Sequence, residues 1–261
     1  RATLRALHPG AVRLAARWND LATASGMIQM VPGGVVRYAL ETAGDGRGTP
    51  VGPRTLLAGE QLTLHAVGRD GVDNFVAALE VSWMLEGTIG RLDRTSGAQA
   101  TLLVERAGRG RVTAQHPSLG AQATGELSVL AGTPARLVLE RTPGDPPDAL
   151  GTLTLSADDS LAAFAVLRDS LGNFVGAAAA LWSVHGDSAA AALAPEAATA
   201  GAEMAWLRIL HPGTVQLRAH WNALAASSGD LVLHSGAPFG SFAVAISPDS
   251  LRAGSSEPAL V

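Results

Sequence analysis

The chain has 261 residues, 47% hydrophobic and 16% charged, with a formal charge of −4 and no cysteine. Such a composition is globular and can bury a core, and its sparse, scattered charge lacks the basic footprint of a nucleic-acid binder. Apart from histidine every basic residue is arginine, which excludes P-loop, Schiff-base and Ser–Lys chemistry, and the missing thiols exclude disulfides and thiolate sites.

Taken in order, residues 3–33 (TLRALHPGAVRLAARWNDLATASGMIQMVPG) return at 206–236 (WLRILHPGTVQLRAHWNALAASSGDLVLHSG) at an offset of 203, agreeing at about half of their positions. Leu4/Leu207, His8/His211, Pro9/Pro212, Gly10/Gly213, Trp18/Trp221, Asn19/Asn222 and Gly26/Gly229 all match. A weaker copy runs through Thr101–Val104, Gly110–Gln115 and Gly125–Gly132. The repeat length is that of a small domain. The expected division is 1–33 as the end of one repeat, 34–132 and 133–236 as two complete repeats, and 237–261 as the start of a further one. The first residue is Arg, and no leader is visible, so the sequence reads as part of a longer chain. Its missing targeting signals therefore carry no information about location.

Within each repeat the periodicity is two. Gln61-Leu62-Thr63-Leu64-His65-Ala66-Val67 alternates as a strand with one buried face should. Val36–Glu41 and Ala135–Glu140 open the two full copies as strands, and Val81–Leu85, Thr101–Glu105, Gly110–Gln115 and Glu126–Leu130 follow in the first. Turn chemistry divides them at Asp70-Gly71, His8-Pro9-Gly10 and His211-Pro212-Gly213. Short strands at this spacing predict an all-β class: tandem immunoglobulin-like β-sandwich domains, whose short junctions at Gly33-Gly34, Gly132-Thr133 and Gly236-Ala237 suggest a rod. The Pro/Gly-rich stretches 43–56 and 142–155 lie where a first strand would cross between sheets. The Ala-rich segment Ser188–Glu203 reads as a loop insertion able to form a short helix. No apolar run is long enough to span a bilayer as a helix.

The most recognisable stretch occurs twice: Arg69–Trp83 (RDGVDNFVAALEVSW) and Arg168–Trp182 (RDSLGNFVGAAAALW), 99 positions apart. It resembles the bacterial immunoglobulin-like repeats of the intimin/invasin type, which carry a D-x-x-G-N-x-V pattern ahead of a Trp-bearing strand. Asp169, Gly172, Asn173, Val175 and Trp182 match that pattern. The first copy has Asp73 in place of the glycine, which predicts a wider or differently bonded turn. The resemblance implies extracellular or periplasmic tandem domains serving as stalks, adhesins or interaction modules. Independently, Trp83 and Trp182 are expected to fill the centre of each sandwich. Asp70 and Asp169 are expected to accept backbone N–H bonds two residues on, and Asn74 and Asn173 to do likewise or to adopt left-handed backbone geometry.

Candidates for chemistry are few. His8 and His211 lack partner ligands at fixed spacing, and Arg106-Ala107-Gly108 replaces their context in the middle copy, so they read as turn residues. Asp70, Asp73 and Asn74 offer oxygens of the kind calcium takes, but the second copy keeps only Asp169 and Asn173, too few for a strong site. Trp18 and Trp221 recur before Asn and read as packing residues at a domain end, with stacking on a sugar as the functional alternative. Trp206 has no counterpart in the other copies, where Thr3 and Thr101 stand, and is the better contact candidate. No G-x-S-x-G, H-E-x-x-H or G-x-G-x-x-G motif occurs, so no enzyme, cofactor or metal is expected. The leading expectation is a non-catalytic spacer, adhesive stalk or assembly subunit of a bacterial surface or periplasmic protein. Its partners would be neighbouring immunoglobulin-like domains and another envelope or surface protein, or a glycan. The alternatives are an accessory subunit docked on an envelope membrane complex, and a carbohydrate-binding module using Trp206 or Trp221.

Overall fold

A computed structural model describes residues 3–157, 159–193 and 201–236. Among these there is no helix. The first strands are β1 (Gly10–Val12), β2 (Ala15–Trp18), β3 (Leu21–Ala24) and β4 (Ile28–Met30). They form two separate antiparallel pairs, β1 with β4 and β2 with β3. No residue between 3 and 36 is buried.

Next come β5 (Arg37–Glu41), β6 (Arg54–Leu57), β7 (Gln61–Arg69), β8 (Phe75–Ala78), β9 (Val81–Gly87), β10 (Gly90–Leu92), β11 (Ser96–Gly97), β12 (Gln99–Val104), β13 (Gly108–His116), β14 (Gly120–Ala123) and β15 (Leu127–Leu130). One sheet runs β10-β12-β7-β5, the other β11-β9-β13-β15-β6, with β8 and β14 as hairpin extensions of β7 and β13. The two inner faces share one core. Leu62 and Leu64 of β7 and Leu102 of β12 meet Trp83 of β9, Val112 of β13 and Leu127 of β15. This is an immunoglobulin-like sandwich. The alternation in β7 places Leu62, Leu64 and Ala66 inside and Gln61 and Thr63 outside.

The 43–56 stretch lies at the crossing between the sheets: β5 belongs to one sheet and β6 to the other, and β6 runs parallel to β15. Proline has no N–H to donate and fixes φ, so such a stretch leaves a ladder readily.

The remaining strands are β16 (Arg136–Glu140), β17 (Leu153–Ser156), β18 (Ser160–Arg168), β19 (Phe174–Ala177), β20 (Leu181–Gly186), β21 (Ala191–Leu193), β22 (Met204–Ile209), β23 (Gly213–Trp221), β24 (Leu224–Ser227) and β25 (Leu231–His234). They repeat the plan: β16-β18-β22-β21 with β19 on β18, and β17-β25-β23-β20 with β24 on β23. Leu161, Trp182, Leu207, Leu217 and Leu231 are buried here. Of the Ala-rich loop insertion Ser188–Glu203, residues 194–200 lie outside the described residues, and the described remainder contains no helix. Its described flanks are the strand β21 and a bridge between Ala180 and Ala202. The expected further repeat at 237–261 also lies outside them.

The chain forms two compact units. The first takes the described residues up to Val138, with Thr142–Asp148 and Val166–Ala178. The second takes Leu139–Arg141, Ala149–Ala165 and the described residues from Ala179 on. Both copies of the turn that follows Arg69 and Arg168 therefore belong to the first unit.

Candidate interaction site at the Asp–Asn turns

The turn between β7 and β8 is built around one carboxylate. Asp70 Oδ1 accepts the Val72 N–H at 3.0 Å and the Asn74 N–H at 2.8 Å. Its Oδ2 accepts the Asn74 side-chain amide and the backbone N–H of Gly33, both at 2.9 Å. The turn between β18 and β19 repeats this bond for bond. Asp169 Oδ1 accepts Leu171 N–H and Asn173 N–H, each at 2.9 Å, and Oδ2 accepts the Asn173 amide at 2.8 Å and Gly132 N–H at 2.9 Å. A carboxylate has about four acceptor positions, so each Asp is saturated.

Two of those bonds fix the turn and a third positions Asn; the fourth leaves the repeat and grips backbone at the end of the preceding one. Asn continues the grip. Asn74 Nδ2 donates to the Leu7 carbonyl at 2.9 Å, and Asn173 Nδ2 donates to the Glu105 carbonyl at 3.0 Å. The Oδ1 atoms are satisfied differently. Asn173 accepts the backbone N–H of Ala107 at 3.0 Å. The equivalent residue in the first copy is Pro9, which has no N–H. There the His8 ring supplies the donor, with Nδ1 3.1 Å from Asn74 Oδ1. Because Asn74 spends both amide hydrogens on carbonyl and carboxylate oxygens, Nδ1 of His8 carries the proton.

Arg69 and Arg168 brace the turns from the other side. Arg69 makes a bidentate pair with Glu41, both bonds 2.8 Å, and also donates to the Asp73 and Gly46 carbonyls. Glu41 is 1% exposed, so the pairing supplies the compensation a buried carboxylate needs. Arg168 likewise donates to the Gly172 and Gly144 carbonyls and pairs with Asp145 at 2.8 Å. Each Arg thus ties a Pro/Gly-rich crossing segment to a turn.

The turn at Asp73, expected to be wider or differently bonded, keeps the backbone bonding of the second copy, and the difference lies in the Asp73 side chain, which pairs with Arg37 and Arg69. Asp73 N–H donates to Asp70 O and Gly172 N–H to Asp169 O, both at 3.2 Å, and both residues have positive φ, 74° and 93°. The left-handed residue is therefore the one before Asn, not Asn itself. Asp tolerates that region better than most residues, and here Asp73 pairs with Arg37 and Arg69. Gly172→Ala should destabilise by about 1–2 kcal/mol, since alanine has no such partners and disfavours the left-handed region. Asp73→Gly should be nearly neutral. Comparing urea midpoints checks both, and an unshifted midpoint for Gly172→Ala would contradict the account.

The Asn74 side-chain amide, joined by the Gly33 N–H, holds the Asp70 carboxyl well below the usual carboxylate range. For Asp169 burial pushes the pKa up, but the Asn173 amide and the Gly132 N–H outweigh it and the net direction is down. A carboxyl whose pKa is lower folded than unfolded contributes stability above about pH 4, and that contribution is lost as the pH falls toward the folded value. The urea midpoint should therefore drop as the pH falls from about 5 toward 2, by less in Asp70→Asn or Asp169→Asn. Equal drops in all three proteins would count against this assignment.

Trp83 and Trp182 are 4% and 3% exposed, and their Nε1 atoms donate to the Gly97 and Ala202 carbonyls, each at 2.8 Å. Trp18 and Trp221 end β2 and β23 at two-residue hairpin turns, where Asn19 and Asn222 have φ near 50°. Trp18 is 73% exposed. Trp206 projects outward from β22, 47% exposed, opposite Ala162 and beside the Phe164–Met204 pair. The same face of the preceding sandwich carries instead the Thr63–Thr101 pair, its hydroxyls 3.2 Å apart. His211 lies exposed in the bend before β23.

Sequence reasoning missed the recipients of the grip: Gly33, Gly132, Leu7, Glu105 and Ala107. The one available signal was that Gly33 and Gly132 each precede the Asp by the same 37 positions. A cleft of about 470 Å³ lies beside the first turn and one of about 510 Å³ beside the second. Thr88, Arg106, Asp145 and Asn173 are among the residues that line the second.

No family model matches the chain, and no curated protein matches it. Among solved structures it is similar to the Escherichia coli adhesin FdeC, at 18% identity over 86% of this chain and 74% of that one, with a TM-score of 0.39. It is also similar to the bacterial integrin-binding protein invasin, at 15% identity over 87% of this chain and 46% of that one, TM-score 0.34. Domains 4–9 of the surface layer protein SbsC match at 12% identity over 87% of this chain and 35% of that one, TM-score 0.29. At these identities and superposition scores the likeness says nothing about what this chain binds.

Proposed function

We propose that this chain is a non-catalytic structural or adhesive segment of a bacterial surface or periplasmic protein, in which each immunoglobulin-like repeat fastens itself to the one before. The observation that carries the reading is the duplicated Asp–Asn turn. Two loops 99 positions apart spend the same two side chains on backbone atoms of the preceding repeat. A protein whose most elaborate polar arrangement is spent on joining its own repeats fits a spacer or stalk. Replacing residues 34–236 in the parent protein with two unrelated immunoglobulin-like domains tests it. A spacer tolerates the exchange with surface display and activity intact. Protease shaving of whole cells that leaves the segment untouched, with lysed cells cleaved, would refute the surface location.

The outer face around Trp206 favours a second, adhesive reading. An exposed Trp beside Phe164 and Met204 is a contact surface absent from the preceding sandwich. If Trp206→Ala leaves binding to cells and to a glycan array unchanged, this face is not the adhesive one.

A further inference from the structure

The backbone arrangement held by the two Asp–Asn turns recurs a third time, at the end of the second sandwich. Strand pairing sets its geometry. In the first copy Gly10 pairs with Met30, and the gripped Gly33 lies three residues on. In the second, Gly108 pairs with Val129, and Gly132 again lies three residues on. In the third, Gly213 pairs with Leu233, which places Gly236 at the same point of the same ladder. The segment before each glycine has the same course in all three copies: an irregular residue, two bend residues and then the strand.

The residues agree as well. Leu210-His211-Pro212-Gly213 is identical to Leu7-His8-Pro9-Gly10. Pro212 removes a backbone donor as Pro9 does, and His211 stands where the His8 ring replaces it. Leu210 and Leu7 are similarly exposed, 44% and 47%. The amides of Leu210 and His211 both donate to Ala190 O, which anchors the bend. Among the described residues nothing bonds the His211 ring or the Gly236 amide. Both Asp-x-x-x-Asn turns of the structure are engaged elsewhere, and residues 237–261 contain no Asn.

We infer that Leu210, His211 and Gly236 form a docking site for another immunoglobulin-like repeat that presents an Asp-x-x-x-Asn turn. The partner's carboxylate accepts the Gly236 N–H, its amide nitrogen donates to the Leu210 carbonyl, and its amide oxygen accepts from His211 Nδ1. This rests on the proposed joining role of the first two turns.

The test is a fusion in which a second copy of residues 34–132, whose core is self-contained from Tyr38 to Val129, follows Gly236. Amide hydrogen exchange at Gly236 should slow at least roughly tenfold relative to the same fusion with Asp70→Ala and Asn74→Ala in the appended copy. His211→Ala should lose part of that protection. His211→Ala/Pro212→Ala, which restores a backbone N–H where Ala107 has one, should recover it, an outcome no merely structural role for His211 predicts. Equal exchange at Gly236 in all fusions, with Gly33 and Gly132 still protected, overturns the third site and leaves the proposed function standing. Loss of protection at Gly33 and Gly132 as well would remove both.

Discussion

Trp83→Ala should destabilise its sandwich by about 3–5 kcal/mol, and Trp182→Ala should do the same in the following one. Each ring sits between two sheets, 4% and 3% exposed. Removing it deletes the largest side chain of the core and leaves a cavity that strands pinned in two ladders cannot close. The loss also strands a carbonyl, of Gly97 or Ala202, which now accepts the indole N–H. Trp→Phe keeps most of the volume and loses only that bond and some contact, so its effect should be clearly smaller. Chemical unfolding followed by far-UV circular dichroism measures both. A change below about 1 kcal/mol for either alanine variant would mean the ring is not the centre of its core.

The second large effect is expected at Arg69. Its pairing with Glu41 is bidentate, and Glu41 is almost wholly inaccessible. Arg69→Ala leaves that carboxylate buried without its partner, which should destabilise by about 3 kcal/mol or more. Arg69→Met combined with Glu41→Leu removes both charges and should recover much of the loss, because a buried ion pair is commonly replaceable by apolar residues. Recovery should stay incomplete, since the guanidinium also donates to the Gly46 and Asp73 carbonyls. If the double variant is as unstable as Arg69→Ala, the ion pair is not the source of the loss.

The sandwich was readable from period and spacing because burial on one face leaves a mark on every second residue. Leu62, Leu64 and Ala66 are the buried positions that alternation pointed to. The two tryptophans likewise stand out in sequence, as does the break at 43–56. The joining site was half legible. Asp70, Asp169, Asn74 and Asn173 are visible as a pattern, but what they hold is main chain, and backbone amides and carbonyls have no letter. The role of His8 was hidden for the same reason. Its ring matters because Pro9 lacks an N–H that Ala107 has, and that is seen only when the two turns are compared in space. Glu41 broke the alternation of β5 and gave no hint of Arg69, since the two are paired across neighbouring strands.

The grip reads almost no side chains on its receiving end. Leu7 and Glu105 offer the same carbonyl, and Gly33 and Gly132 the same amide, although their flanking sequences differ. A repeat that carries its own Asp and Asn can thus follow any repeat with a compatible bend and a closing glycine. Gene duplication or exchange of whole repeats would then need no matching substitution across the seam, and arrays of different length become accessible by recombination alone.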